Sequence, residues 1–447
     1  MRKSLARADA GRERLGKGRQ HKKGTYPMIR ERYDRKSLGA HAAWMLASAI
    51  VFVGTIVVPT ATQADANAGL KIGLLMDFSG GSAEVLLDRQ RGFELAIKHV
   101  NDGGGVNGLP VSVAVGDTTS DPESAVAEAR RLIEVERVHA IVGPNSSAAS
   151  LPIAEHVIGP EGVPTISFSA TSPELTGVAD NDFFFRVALS DVSQGPVLAR
   201  VVREQGFDNV GLLYVDDAWG RGLADAFGSA WTGTIQSVAV GRDQAGFLSE
   251  LGVAARGDAQ ALVVIAPGKM AKVMVREALD SGLFDRFAFG DAAKRPSLVR
   301  AIGGTRLGGM YGTGPATAPE SAASAAWEAD YVEEHGALPV RAYVKETYDA
   351  TAALALAAQA AGQLEGAAIR NRLREIGSGP GIVVSAGPRG IADALRILAG
   401  GGAIDYEGAS GSMDWDANGD LRRGHVGIWR FTLDERIEEV DAVPFKR

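Results

Sequence analysis

A repeating order of strand-like and helix-like segments is the feature that most constrains the fold of this chain. β-Branched runs such as Ala140–Val142, Val210–Val215 and Ala261–Ile265 alternate with helix-like segments from residue 70 onward. This rhythm is typical of mostly parallel sheets with helices on both faces. It restarts after Phe183-Phe184-Phe185, where a first sheet would be complete. The sequence therefore predicts an α/β protein with two doubly wound lobes, since 447 residues exceed what one core usually holds.

The first 66 residues differ from the rest, with 13 Lys or Arg against five Asp or Glu. An apolar run of 17 residues, 42–58, follows the basic segment, and small residues follow the run. This order predicts a cleavable export signal, with cleavage after Ala66 or after Ala68. The alternative is an uncleaved anchor, because 17 apolar residues are the short limit of a spanning helix. We interpret residues 1–27 as an upstream extension or as the result of a misplaced start codon, with Met28 as the more natural start.

Composition excludes several classes of function. Beyond residue 66 lie 34 of the 47 Lys or Arg and 49 of the 54 Asp or Glu, which argues against nucleic acid or an anionic membrane as partner. The chain has no cysteine, which excludes disulfides, thiolate metal sites, cysteine nucleophiles and a lipoprotein anchor. Its seven histidines are scattered, and no linear catalytic motif occurs. We expect no enzyme activity, no cofactor and no metal.

Two short motifs imitate ligand sites. Gly103–Gly108 has the spacing G-x-G-x-x-G, but it follows a helix-like segment, whereas a dinucleotide fingerprint follows a strand. We interpret it as a helix C-cap and a turn. Asp414–Asp420 resembles the start of a calcium loop, yet a histidine stands where the bidentate Glu is required. The Asn418-Gly419 pair favours a hairpin turn instead, between strands over 412–415 and 426–432.

Two loops rich in hydroxyl side chains follow successive predicted strands. One contains Ser146 and Ser147, and the other contains Ser169 and Thr171. In a parallel sheet, ligands bind where the carboxyl ends of strands meet helix N-termini, and free amides there favour a carboxylate. Helix capping alone explains one such loop equally well. Two of them on successive strands indicate a binding cleft.

These loops resemble those of the type I periplasmic binding proteins, specifically the leucine/isoleucine/valine-binding branch that serves ABC transporters. The resemblance covers nearly all of the chain after residue 69. Its further segments are Leu70–Leu75, Arg91–Ala96, Gly103–Gly108, Asp121-Pro122, Ser193–Pro196, Trp219–Gly222 and Asp414–Asp420. The resemblance implies two lobes that close around a ligand about a three-strand hinge.

The resemblance also implies how the chain is divided between the lobes. Lobe 1 is expected over 70–190 and 314–409, and lobe 2 over 191–313 and 410–447. The crossings between them are expected near 187–191, 312–318 and 407–411. The glycine-rich stretch 377–402 has no counterpart in this scheme, and we interpret it as a surface excursion.

In lobe 1, the resemblance implies ligand contacts from both hydroxyl-rich loops. Ser147, beside Ser146, matches the serine whose hydroxyl meets the ligand α-carboxylate. Ser169 matches a residue that contacts the ligand through its backbone. Thr171, which follows Ala170, matches the threonine that contacts the ligand head group. All five residues are candidate ligand-binding positions.

In lobe 2, the resemblance implies a carboxylate and an aromatic side chain at the ligand. Asp291 matches the acid that binds the α-ammonium group, although it can also be a solvated loop acid. Trp219 matches an aromatic residue that covers the ligand, although it can also pack on its own helix. Asp191 matches an acidic position near the hinge. Val85 and Pro267 depart from the family where the side-chain pocket is formed.

The function implied is that of an exported, periplasmic, monomeric receptor that delivers a small polar solute to an inner-membrane ABC permease. An amino acid is the first expectation for the ligand, because both carboxylate-type and ammonium-type contacts are retained. Short amides, urea-like compounds and aromatic acids remain alternatives. A second hypothesis keeps the fold and makes the protein a sensor for a separate receptor or kinase.

Overall fold

The computed structural model describes residues 69–79, 83–339 and 341–447. The predicted export signal and upstream extension lie outside these residues. None of the helices in the described part combines the length and the apolar character that a membrane crossing requires.

The described chain contains 14 strands and 14 helices, besides a short π-helical turn and two 3₁₀ turns. The strands are β1 Lys71–Met76, β2 Ser112–Asp117, β3 Ala140–Val142, β4 Thr165–Ser167, β5 Phe184–Arg186, β6 Asn209–Val215, β7 Thr234–Val240, β8 Ala261–Ile265, β9 Phe287–Phe289, β10 Tyr311–Ala316, β11 Ile382–Ser385, β12 Ile404–Glu407, β13 Arg423–Phe431 and β14 Ile437–Lys446. The helices are α1 Ala83–Asp102, α2 Pro122–Glu134, α3 Ser147–Ile153, α4 Gly159–Glu161, α5 Asp191–Glu204, α6 Ala218–Ala230, α7 Leu248–Ala254, α8 Gly268–Ser281, α9 Pro296–Ile302, α10 Gly304–Leu307, α11 Ala322–His335, α12 Val344–Ala361, α13 Gly366–Gly377 and α14 Pro388–Ala399.

Two large sheets organise these elements. The first has the order β2-β1-β3-β4-β5 with every pairing parallel. The second has the order β14-β13-β10-β9-β8-β6-β7, and only its pairings with β13 are antiparallel. Central strands such as β1 and β8 are buried along nearly their whole length, as expected of strands covered on both faces. The prediction of an α/β fold with two lobes and mostly parallel sheets is confirmed.

The chain passes between the two sheets in three segments. These segments connect β5 to α5, β10 to α11, and β12 to β13. In the third segment, the Asp349 carboxylate of α12 accepts hydrogen bonds from the amides of Ala409 and Ser410 at 2.8 and 2.7 Å. The hydroxyl of Tyr406 donates to the same carboxylate at 2.9 Å. The lobe boundaries near 190, 313 and 409 remain a prediction.

Helix α12 explains how the crossings are held against the first sheet. Fifteen of its 18 residues are buried, and six of these are alanine. Short side chains let neighbouring helices approach closely, and α12 packs against α1, α13 and α14. The alanine-rich sequence therefore forms a central buried helix, in the position where a longer apolar side chain would hold its neighbours apart.

The interpretation of 377–402 as a surface excursion is wrong. This stretch forms β11 and α14, and β11 pairs in parallel with β12. Three residues at helical spacing, Ile391, Ala394 and Leu395, are buried, and α14 packs against α1 and α12. The glycines lie mostly at the ends of β11 and α14. With β12, these elements form an extra strand–helix–strand unit, which contributes to the core of the first lobe.

The predicted C-terminal hairpin is correct in its turn and in its second strand, which is β13, and wrong in its first strand and in the pairing. A tight turn forms at Asn418-Gly419, where only the isolated bridge between Trp415 and Leu421 joins the flanking residues. The long antiparallel hairpin instead pairs β13 with β14 across a turn at 432–436. Gly419 has φ +73°, and a Cβ atom there would lie 2.3 Å from a backbone oxygen of β5. The turn therefore docks against the first sheet.

The interpretation of Gly103–Gly108 as a C-cap and turn is confirmed. Helix α1 ends at Asp102, and Gly104 and Gly105 have φ of +107° and +75°. The amide of Gly105 donates to the carbonyl of Val100 at 2.9 Å, which closes the last helical turn. The chain then enters β2 without opening a helix, so the spacing does not form a dinucleotide site.

Candidate functional site

The two hydroxyl-rich loops meet at the carboxyl ends of β3 and β4, as predicted. The hydroxyl of Ser169 donates to the carbonyl of Asn145 at 2.9 Å, and that of Ser167 donates to the carbonyl of Pro144 at 2.7 Å. The hydroxyl of Ser147 accepts a hydrogen bond from the amide of Ser172 at 3.2 Å. These bonds join the two loops into one surface at the edge of the first sheet.

Helix capping does not account for the first loop. Ser146 is the N-cap of α3, but its side chain makes no capping hydrogen bond within the described chain. Ser147 is buried, and its hydroxyl contacts the other loop. The alternative that these serines serve only as caps therefore fails for this loop.

A cavity of about 140 Å³ adjoins the loops and is lined from both sheets. Five of the eight predicted site residues line it, namely Ser146, Ser147, Ser169, Trp219 and Asp291. Its volume is close to that of an engineered protein cavity, about 150 Å³, which holds benzene. The arrangement can therefore enclose a small molecule between serine hydroxyls on one wall and an aromatic ring and a carboxylate on the other.

Three predicted residues do not line this cavity and lie behind the second loop. The hydroxyl of Thr171 donates to Asp191 Oδ2 at 2.8 Å, and the amide of Asp191 donates to the carbonyl of Thr171 at 2.8 Å. The amide of Ala170 donates to the hydroxyl of Ser167 at 3.1 Å. Burial raises the pKa of Asp191 well above its ordinary value, and the nearby Asp291 adds to this. In this structure these residues support the loop.

Trp219 and Asp291 face the cavity from the second sheet. Trp219 lies in the first turn of α6, and its indole Nε1 is buried without a hydrogen-bond partner among the described residues. Asp291 follows β9 and accepts hydrogen bonds from the hydroxyl of Tyr343 at 2.7 Å and from Gln194 Nε2 at 3.4 Å. Burial raises the pKa of Asp291, and the hydrogen bonds from Tyr343 and Gln194 oppose that rise only in part.

Sequence reasoning missed the basic side chains and the tyrosine of this cavity. Tyr343 and five basic residues line it, namely Arg89, Arg242, Lys294, Arg295 and Arg341. Three carboxylates also line it, so the basic residues outnumber the acidic ones by two. One signal was available for Arg89, because it precedes Phe93, Ala96 and Val100 on the buried stripe of α1. A charged residue on such a stripe is a candidate for function.

The acidic side chains of the calcium-like motif at 414–420 stabilise the turn in which they lie. Asp416 Oδ1 accepts hydrogen bonds from the amides of Asn418 and Asp420 at 2.8 and 3.1 Å. The Asp420 carboxylate pairs with Arg186 at 2.5 Å and with Arg447 at 2.8 Å. These carboxylates are thus committed to hydrogen bonds and ion pairs within the protein.

Comparisons with known proteins agree with this geometry. The family model described as periplasmic binding protein matches residues 69–391. A chemotactic signal transduction system substrate-binding protein, BasB, of Halobacterium salinarum is 29% identical over 79% of this chain and 84% of its own. A Leu/Ile/Val-binding protein homolog of Brucella abortus is 28% identical over 77% of this chain and 89% of its own. The crystal structure of a leucine binding protein, LivK, from Thermotoga maritima superposes with a TM-score of 0.71 at 23% identity, over 84% of this chain and 98% of its own.

Proposed function

Because the chain belongs to the periplasmic binding protein family, of the leucine/isoleucine/valine-binding type, we propose that it is the solute receptor of an ABC importer. In this proposal the protein captures a small carboxylate-bearing molecule between its lobes and delivers it to a membrane permease. Amino acids are the first ligand class, in line with the name of the Leu/Ile/Val-binding protein homolog of Brucella abortus. Export through the N-terminal signal and a monomeric state are parts of the same proposal.

The cavity between the sheets is the observation that carries the proposal. Ser146 and Ser147 offer hydroxyl groups on one wall, whereas the hydroxyl of Ser169 already donates to the carbonyl of Asn145, and Asp291 offers a carboxylate on the other wall. A ligand carboxylate accepts hydrogen bonds from hydroxyl groups, whereas an ammonium group donates to a carboxylate. Charge-assisted hydrogen bonds of this kind contribute about 1.5–3 kcal/mol each. Closure of the lobes by hinge motion would bury these contacts and bring Trp219 over the ligand.

A sensing role is the second candidate. The substrate-binding protein of Halobacterium salinarum that this chain resembles belongs, by its name, to a chemotactic signal transduction system. Ligand capture in the cleft is compatible with either role, because a permease and a sensory receptor would each recognise the ligand-bound form of the protein. The two differ only in the membrane partner that recognises this form.

A thermal-shift screen tests ligand capture. The purified protein is heated with amino acids, short amides, urea and aromatic carboxylates in turn. A ligand that binds only the folded state raises its stability by about 2.7 kcal/mol at a hundredfold excess over its dissociation constant. We expect a hit among the carboxylates, which Ser147→Ala weakens and Ser237→Ala leaves unchanged, since Ser237 is exposed on β7.

Uptake by intact cells then separates transport from sensing. The labelled form of the best ligand is given to cells with and without the gene. Transport predicts that uptake falls when the gene is deleted, whereas sensing predicts unchanged uptake and a lost behavioural response. A protein that binds none of the screened compounds would contradict ligand capture as proposed.

A further inference from the structure

Arg89 is a buried cation in the wall of the cavity. It lies on α1, it is 9% exposed, and it lines the space beside the serine loops. Its guanidinium carbon lies 5.7 Å from the ring centre of Phe168 and 5.1 Å from that of Tyr343. Its Nε donates to the carbonyl of Ala342 at 3.2 Å. Two rings and one carbonyl therefore fix the direction of this side chain.

No carboxylate of the described chain lies within ion-pair distance of Arg89. Other basic residues of the cavity wall are neutralised, Arg242 by Asp217 and Lys294 by Glu439 at 2.6 Å. Its two terminal nitrogens make no hydrogen bond to any described residue, whereas Nε uses the carbonyl of Ala342. Burial without a paired acid disfavours the charged form and lowers the pKa of Arg89 from its ordinary value. Glu346 and Asp291 attract this cation from beyond ion-pair distance, so an anion in the cavity would be its first direct ionic partner.

Tyr343 separates this cation from the acid of the opposite wall. Its ring lies against the Arg89 guanidinium, while its hydroxyl donates to Asp291 at 2.7 Å. Phe168, the other ring beside Arg89, immediately precedes Ser169. The cavity therefore presents hydroxyl groups, a guanidinium and a carboxylate at three separate places. One ligand carboxylate satisfies the hydroxyl groups and leaves the guanidinium without a partner.

We propose that Arg89 binds a second acidic group of the ligand, so that the receptor selects short dicarboxylates, acidic amino acids among them. The inference rests on the proposed function, because it assigns the ligand class of the same cavity. A guanidinium matches a carboxylate with two parallel hydrogen bonds, which neither a ligand amide nor an alkyl group can reproduce. The volume of about 140 Å³ suits a four- or five-carbon diacid.

Calorimetric titration of acid and amide pairs tests the inference. Aspartate is compared with asparagine, glutamate with glutamine, and both acids with succinate and leucine. Each pair has nearly the same shape, so the difference in affinity reports the second acidic group. We expect the wild-type protein to bind the preferred acid at least about tenfold more tightly than its amide, the low end for a charge-assisted bond.

Variants of Arg89 assign that preference to this side chain. Arg89→Gln is expected to weaken binding of the acid by at least about tenfold and to leave the amide within about twofold. Arg200→Gln is the matched control, because Arg200 is 47% exposed on α5. Arg89→Lys keeps the positive charge but lacks the two parallel N–H donors of the planar guanidinium, so an intermediate affinity for the acid is expected. Circular dichroism shows whether each variant is folded, and the acid–amide comparison in the wild-type protein needs no variant.

Three results would overturn the inference, and they separate it from the proposed function. Equal or tighter binding of leucine or of the amides by the wild-type protein contradicts the diacid preference and leaves the receptor function intact. An acid preference that folded Arg89→Gln retains contradicts the role of Arg89. A wild-type protein that binds none of these compounds, and nothing in the wider thermal-shift screen, contradicts both.

Discussion

Replacing Asp420 by asparagine is expected to destabilise the protein through the buried ion pair that holds the second ligand loop. Asp420 Oδ1 lies 2.5 Å from Arg186 Nε, and their side chains are 4% and 1% exposed. Arg186 also donates to the carbonyl of Ser172 at 2.8 Å and to the hydroxyl of Thr176 at 2.8 Å. The pair therefore connects β5, the turn at 416–420 and the loop that contains Ser169.

The expected loss is about 3 kcal/mol of unfolding free energy. Removal of one partner from a buried ion pair costs about 3–5 kcal/mol, because the remaining charge is left uncompensated. Asparagine has the shape of aspartate and keeps one acceptor for Arg186, so the low end of that range applies. The hydrogen bonds from Thr176 and Arg447 to Asp420 Oδ2, both 2.8 Å, are weakened in the same variant.

The pH dependence of stability provides a second test of the buried ion pair with the same variant. Burial acts to raise the pKa of Asp420, but the Arg186 guanidinium and the hydrogen bonds from Arg186, Thr176 and Arg447 outweigh it and lower the pKa. A carboxyl with a lowered folded pKa contributes stability above its unfolded pKa of about 3.9, and this is lost as the pH falls through the folded value. Asp420→Asn is therefore expected to remove part of the acid sensitivity below about pH 4.

Chemical denaturation at pH 7 and at pH 3 measures both effects. Asp208→Asn is the matched control, because the ion pair between Arg203 and Asp208 has side chains that are 42% and 72% exposed. An exposed pair contributes at most about 1 kcal/mol. If Asp420→Asn costs no more than this control at pH 7, the reasoning about the buried pair is refuted.

Three further substitutions test other parts of the structure. Burial, with help from nearby Asp349, raises the pKa of Glu346 to about 7, so its stabilising contribution is full below about pH 4.3 and disappears as the pH rises through about 7. The fall in unfolding free energy between pH 4.5 and 8 is expected to be roughly 3 kcal/mol smaller in Glu346→Gln than in the wild-type protein, in which Asp349 and other buried carboxyls also contribute; an unchanged difference would contradict this. Trp219→Phe is expected to abolish most of the ligand-induced change in tryptophan fluorescence, whereas Trp231→Phe, at the C-terminal end of α6 and outside the cavity lining, retains it. Leu395→Ala is expected to cost about 2–5 kcal/mol in denaturation, since Leu395 is 3% exposed, against less than about 0.5 kcal/mol for Leu87→Ala, which is 56% exposed.

The alternation of strands and helices was predictable because it depends on local pattern. β-Branched runs bounded by helix-like segments predicted β3, β6 and β8 at or within one residue of their observed ends. The same pattern failed at 377–402, because glycines obscured the stripe of Ile391, Ala394 and Leu395 at helical spacing. High glycine density favours a surface excursion, although the apolar stripe at helical spacing is the stronger physical signal.

The partner of the last predicted strand could not be identified from sequence, for a related reason: the strand over 426–432 is β13, and it pairs with β14. Asn418-Gly419 is a strong turn signal, and a turn does form there. The residues on either side, however, dock against β5 through Asp420 and Arg186 and do not pair with each other at length. Tertiary contacts determine which of the two turns, at 418–419 or at 432–436, connects the long paired strands. No local sequence pattern contains that information.

The cavity was predictable on its serine side and not on its basic side. Ser146, Ser147 and Ser169 follow strands, so their common position at one sheet edge follows from topology. The environment of Arg89 depends on Ala342 and Tyr343, about 250 residues away in sequence. A lone arginine in a helix is usually solvated, and only the assembled lobes show that this one is buried against the cavity.

A crystal structure of the protein with its tightest ligand is the most direct test of the central claim. We predict that the ligand lies in the cavity between the sheets, with one carboxylate within hydrogen-bond distance, about 3.2 Å, of the serine hydroxyls. A second acidic group is predicted against Arg89, with the Trp219 ring over the ligand. A ligand bound outside this cavity, or bound inside it without contact to either serine loop, would contradict the account.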